Sequence, residues 1–373
     1  MILRLAAVAS ALSLSGILPA LAEPVTLTDI AGREVTVEAP AKRIILGEGR
    51  QIYLLGILDR EAPFQRVVGW RQDLLEADPD NYAAYAEKFP ELKDLPTFGG
   101  FKDGTFDVEQ AAALKPDVML MNLESKAATE DAGYDDKLAQ LGIPIVYVDF
   151  REDPMAHSIE SMHIMGKLTG REERAEEYVQ FVDQQMKRVT EVLAKAEFTR
   201  PKVFVDRAGG YSDDCCMSFG DGNFGEYVEI AGGENIAKGI IPATFGTLNP
   251  EQIIASNPDQ VIVTGGKWDA YVPNGAWVGV GPGADLTAAR AKLQGLTTRT
   301  AMTGTNAVKT GQFHAIWHQF YDNPYYFVAV QQLAKWQQPQ LFADLDPEAT
   351  LKELHERFLP VPYRPGYWVS LNE

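Results

Sequence analysis

The chain is predicted to fold as two α/β lobes, each a parallel sheet wound by helices, joined by one long helix, with a ligand cleft between the lobes. Three observations predict this. A helix–proline–strand segment occurs twice, short apolar runs alternate with helical stretches in both halves, and one long apolar stripe separates the two copies.

The repeat comes first. Residues 107–118 read Asp-Val-Glu-Gln-Ala-Ala-Ala-Leu-Lys-Pro-Asp-Val, and residues 249–261 read Asn-Pro-Glu-Gln-Ile-Ile-Ala-Ser-Asn-Pro-Asp-Gln-Val. Each copy is a short helix, a proline that ends it, and an apolar strand, Val118–Met121 in one and Val261–Val263 in the other. Further strands are expected at Arg43–Leu46, Val67–Gly69 and Ile143–Phe150 in the first half, and at Lys202–Asp206 and Gln312–Trp317 in the second. Ligands of such sheets sit beyond the carboxyl ends of the strands. Between the halves, Ala175, Tyr178, Val182, Met186, Val189, Leu193 and Ala196 recur at helical spacing, which predicts one helix from Arg171 to Phe198, about 42 Å long. The expected organisation is a leader over 1–22, an N-terminal lobe over 23–168, an interlobe helix over 169–199 and a C-terminal lobe over 200–373.

The leader is read from Arg4, the apolar run Leu5–Leu18, and Ala20-Leu21-Ala22, a small-x-small pattern that makes Glu23 the expected mature terminus. The run is too short to span a bilayer, and no cysteine stands near the cleavage site to carry a lipid. A mature chain in the periplasm of a Gram-negative cell is therefore expected, without stable membrane insertion. Loss of Arg4 takes the formal charge from −18 to −19. A surface this acidic repels phosphate backbones, which makes nucleic acid a poor partner. The two cysteines are neighbours, Cys215 and Cys216. A vicinal disulfide, two thiols and a soft metal site all remain open for them.

Read together, Leu27–Val35, Ala41–Ile45, Leu114-Lys115-Pro116-Asp117, Leu141–Val146 and Ala231–Ala237 resemble the helical-backbone solute-binding proteins of ABC importers for ferric siderophores, haem and cobalamin. The resemblance spans nearly all of the mature chain. It implies a rigid interlobe helix, a shallow cleft, no catalysis, no cofactor, and delivery to an inner-membrane permease dimer with its ATPase. In such proteins an acidic residue on each lobe docks onto the permease; the positions matching that pattern are Glu109 and, in the second repeat, Glu251. The segment 267–306 and the tail after Leu359 depart from the pattern and are candidates for a lid or lip.

Loops that follow the strands should line the cleft, and many carry a cation or an aromatic. They supply Arg50 and Tyr53, Trp70 and Arg71, Lys102, and Arg151 in the first half. The second half supplies Arg207 and Tyr211, Lys267 and Trp268, and His318, Phe320 and Tyr321. Singly, each reads as a solvated charge or a packing ring. As a set in so acidic a chain they point to an anionic ligand, with arginine gripping carboxylate or catecholate oxygens and aromatics covering apolar faces. The ligand expected is a ferric siderophore or similar iron chelate, with haem or cobalamin next and an oxyanion such as molybdate after them.

A bare metal site is not expected, because His157, His163, His314, His318 and His355 do not gather into a ligand set. Enzyme motifs also fail. Gly47-Glu48-Gly49 lacks its third glycine, Ile52 standing there, and Leu354–Phe358 lacks the second histidine of a zinc-protease helix. A periplasmic enzyme is the cross-class alternative.

Overall fold

The structure, a computed structural model, describes residues 22–102, 104–212 and 215–372. The leader expected over 1–22 therefore lies almost wholly outside the described residues. No helix among the described residues is long and apolar enough to cross a membrane.

The strands run β1 Glu23–Thr28, β2 Glu34–Ala39, β3 Ile44–Leu46, β4 Val67–Arg71, β5 Thr97–Phe98, β6 Val118–Asn122, β7 Ile145–Val148, β8 Lys202–Asp206, β9 Met217–Phe219, β10 Glu234–Asn235, β11 Phe245–Thr247, β12 Gln260–Gly265, β13 Phe313–Trp317 and β14 Trp368–Ser370. The first sheet has the order β5-β4-β3-β6-β7 and is parallel throughout. The second has the order β10-β8-β12-β13-β14, parallel except for the antiparallel edge strand β14. Central strands such as β6 and β12 are buried along their whole length, which explains why they read as unbroken apolar runs rather than alternating ones.

The repeat has a structural reason. Its helices are Val108–Ala113 and Pro250–Ser256, capped by the Asp107 and Asn249 side chains. The aspartate after each proline then holds the start of the neighbouring strand. Asp117 Oδ2 accepts from the backbone N–H of Lys42 and Arg43, at 2.6 and 2.9 Å, and Asp259 Oδ2 accepts from that of Lys202 at 3.0 Å. The same device thus fixes β6 against β3 and β12 against β8.

The long helix spans Glu172–Leu193 and buries Ala175, Tyr178, Phe181, Val182, Gln185, Met186 and Val189. At 1.5 Å per residue it is about 33 Å long, shorter than the 42 Å expected. Beyond Val189 the stripe is only partly covered, with Leu193 packing half-buried against the core. Val192 is exposed, and the chain leaves the helix before Ala196 and Phe198. The helix packs Phe181 edge-on against Phe327 and Tyr178 edge-on against Phe358, both from the second half, and lies along the preceding helix Pro154–Thr169.

The tail after Leu359 does not line the cleft. It crosses the first half, where Leu359 O accepts from Arg60 Nε at 2.9 Å and Pro360 O from Lys88 Nζ at 2.7 Å. It then returns as β14.

Candidate functional site

The carboxyl ends of the two sheets face one another, and the loops that leave them meet. From the first sheet come Glu48 and Arg50 after β3, Arg71 at the end of β4, Glu124 after β6 and Arg151 after β7. From the second come Arg207 after β8, Trp268 after β12 and His318–Asp322 after β13.

Local bonds set these side chains. Asp149 accepts from the backbone N–H of Arg151, Glu152 and Asp153, folding the loop that presents Arg151. Asp73 accepts from Gly49 N at 2.6 Å and from Arg50 Nε at 2.9 Å, fixing the turn after β3. A Cβ at Gly49 would stand 2.3 Å from Arg71 O, so only glycine fits that turn. Across the cleft, the Asn223 amide donates to Arg151 O at 2.7 Å and to Tyr321 O at 2.8 Å, joining the two sides.

The floor is a buried charge network. Arg50 pairs with Glu48, with Asp73, and at 2.9 Å with Asp322 of the other lobe, and it donates to the Tyr321 hydroxyl at 2.7 Å. Arg151 pairs with Glu48, Glu124 and Asp322. Two guanidiniums thus share four carboxylates. Burial would raise the Glu48 carboxyl, but Arg151 and Arg50 together hold it down, to about 2. For Asp322 burial wins over the same two arginines, with Glu48 adding repulsion, and its carboxyl is pushed up to about 7.

Arg207 is different. No carboxylate among the described residues lies within ion-pair distance of it. Its guanidinium sits 4.4 Å over the Phe245 ring and 5.8 Å from the Phe219 ring, and burial lowers its pKa from the usual arginine value. Tyr321 lies among the three arginines, with Arg50 and Arg151 5.6 and 5.2 Å from its ring centroid. His318 packs 4.3 Å from Tyr321 and bonds Thr264 Oγ1 through Nδ1. Burial, with Arg207, Arg50 and Arg151 nearby, keeps it neutral. Trp268 stands between His318 and Tyr211, edge-on to both.

The structure therefore brings together Arg50, Arg151, Arg207, His318, Tyr321, Trp268 and Tyr211, with Arg71 and Lys102 beside them. Lys102 is exposed and pairs with Glu124, while Arg71 is half-buried and forms no ion pair among the described residues. Three expected residues fall elsewhere. Tyr53 is buried under the first sheet and donates to Asp78, and Phe320 packs on Trp317 and Tyr367. Trp70 is buried against Phe64 and Tyr82. Lys267 is exposed at the rim, 3.7 Å from Asp80. Sequence reasoning missed the carboxylates Glu48, Asp73, Glu124 and Asp322. Glu48 and Asp322 adjoin residues singled out there, and that adjacency was the available signal.

Glu109 and Glu251 are both exposed in the first turns of the two repeat helices. Cys215 and Cys216 are joined as a vicinal disulfide beside β9. No cluster of metal-ligating side chains is found among the described residues.

Two sheets wound by helices, a long connecting helix and a polar cleft between carboxyl ends are the architecture of a two-lobed binding protein. Residues 76–318 match the family described as Periplasmic binding protein, and the chain belongs to it. It is 24% identical over 249 residues to the uncharacterized ABC transporter substrate-binding lipoprotein YvrC of Bacillus subtilis, covering 65% of this chain and 70% of that one. Among solved structures it is similar to the TroA-like periplasmic binding protein FepB from Veillonella parvula, with 28% identity, 94% of this chain and all of that one covered, and a TM-score of 0.84. The fold is shared with the molybdate-bound protein MolA of Haemophilus influenzae at 17% identity and a TM-score of 0.67, over 91% of this chain and 99% of that one.

Proposed function

We propose that the protein is the substrate-binding component of an ABC importer that captures an anionic iron chelate, of the ferric siderophore type, and hands it to a membrane permease with its ATPase. The observation that carries this reading is Arg207, a cleft guanidinium beside Arg50, Arg151 and Tyr321 that pairs with no carboxylate among the described residues. A partly desolvated cation of this kind is stabilised by an incoming anion, and charge-assisted bonds to arginine are among the stronger polar contacts. The aromatic side chains Tyr211, Trp268, Phe245 and Tyr321 suit a ligand with organic faces as well as charge. The importer role is supported by the similarity to a substrate-binding lipoprotein, and the iron chelate by the kind of site.

A thermal-shift panel tests the reading, because a ligand that binds only the folded chain raises its melting temperature by mass action. Ferric tris(2,3-dihydroxybenzoate) is expected to raise it. A shift with molybdate, haem or cobalamin and none with any ferric chelate would overturn the iron assignment.

A further inference from the structure

The segment between β12 and the helix Leu286–Leu296 sits over the cleft. Its base is fixed at both ends. Trp268 is buried between Tyr211 and His318, while Val278 and Val280 enter the core of the second lobe. Gly281 N–H donates to Gly366 O at 2.8 Å and Gly283 N–H to Pro365 O at 2.7 Å, so the tail ties down the far end. Between these anchors residues 269–275 form turns and project to the opposite lobe.

Two contacts cross the gap there. Lys267 Nζ stands 3.7 Å from Asp80, and the Tyr271 hydroxyl donates to Glu76 Oε2 at 3.4 Å. Both acceptors lie on the helical stretch after β4, the helices Asp73–Ala77 and Pro79–Lys88. The Tyr271 ring is 6.2 Å from that of Tyr211, which itself stands edge-on to Trp268 in the cleft wall. Tyr271 is nevertheless 44% exposed. Its apolar face is held at the mouth without being packed into either lobe. A cavity of about 340 Å³, lined by Asp80, Lys267, Trp277, Ala284 and Ala288, backs the segment with space instead of core.

We propose that residues 267–275 form a lip that closes the cleft mouth against the first lobe, and that Tyr271 is a retaining residue covering the bound ligand. The proposal rests on the cleft being the binding site, as in the reading above. The contacts suit a gate. The floor pairs of Arg50 and Arg151 are buried and shared, whereas the rim contacts are long and solvent-exposed, the kind that stabilises little and breaks readily. Opening at the rim therefore leaves the floor intact.

Two measurements on the full chain test this. In ligand-free protein, Glu76→Ala with Asp80→Ala leaves the lip sequence untouched. Hydrogen exchange of amides 269–275 is expected to quicken about tenfold, with the amides of β3 and β13 unchanged. Equal exchange in both proteins would overturn the lip. Separately, ferric tris(2,3-dihydroxybenzoate) is expected to leave Tyr271→Ala about fivefold faster than wild type in stopped-flow displacement. An unchanged rate would overturn the retaining role of Tyr271. If that chelate fails to bind wild type at all, the ferric reading and the retaining role both fall, and the exchange experiment still decides the lip.

Discussion

Arg50, Arg151 and Arg207 carry the same charge and differ in what holds it. The first two are locked by carboxylates, and a ligand reaching them competes with Asp322. Because burial raises the Asp322 carboxyl to about 7, it gains a proton near neutrality and loosens its hold on both guanidiniums. A raised carboxyl stabilises the fold below the unfolded value and loses that contribution as pH rises through about 7. For an anionic ligand the sign is the same: affinity rises as pH falls from 8 to 6. Asp322→Asn mimics the protonated form, so it is expected to bind at pH 8 as wild type binds at pH 6, with a flattened pH profile by calorimetry. Parallel profiles for the two proteins would contradict this. At this scale the cations were legible because each follows a strand, where ligands of parallel sheets bind. The carboxylates were not legible. With 52 acidic residues in the chain, Glu48, Asp73, Glu124 and Asp322 look like ordinary solvated surface until the fold buries them.

The elements were legible wherever a local cause repeats. The two helix–proline–aspartate segments could be paired from sequence because each must end a helix and pin a neighbouring strand, as Asp117 and Asp259 do. The connecting helix was overextended because an apolar stripe records which residues can be buried and not where the helix stops: Ala196 and Phe198 stay half-buried after the chain has left it. The tail was open in sequence, since nothing local marks Trp368–Ser370 as the edge strand of a distant sheet. The repeat also carries a prediction. Glu109 and Glu251 stand at equal distance from their prolines, in first turns of matching helices, and both are exposed. If they dock the two lobes onto a paired permease, Glu109→Ala with Glu251→Ala leaves melting temperature and ligand affinity unchanged and abolishes uptake of the iron chelate in cells. Normal uptake at wild-type protein level would contradict it. Surface glutamates away from buried partners contribute little to stability, so loss of fold is not expected to confound the result.

At the scale of the whole molecule, the chain sets two rigid sheets with their carboxyl ends opposed and braces them with one helix. Between them it leaves a floor of shared charges and, at Arg207, a half-buried guanidinium that pairs with no carboxylate among the described residues. The architecture was legible because hydrophobic periodicity and the repeat both follow from burying parallel strands. The charge balance of the cleft was not, because it depends on which side chains meet across more than 250 residues of chain, as Arg50 and Asp322 do. The central claim is that this arrangement captures an anionic ferric chelate through Arg207. Titration calorimetry of ferric tris(2,3-dihydroxybenzoate) into wild type and Arg207→Ala tests it directly. The account predicts one chelate per chain, with binding weakened by about 1–3 kcal/mol in the variant at unchanged melting temperature. Equal affinity for the two proteins, or no binding to wild type, would contradict it.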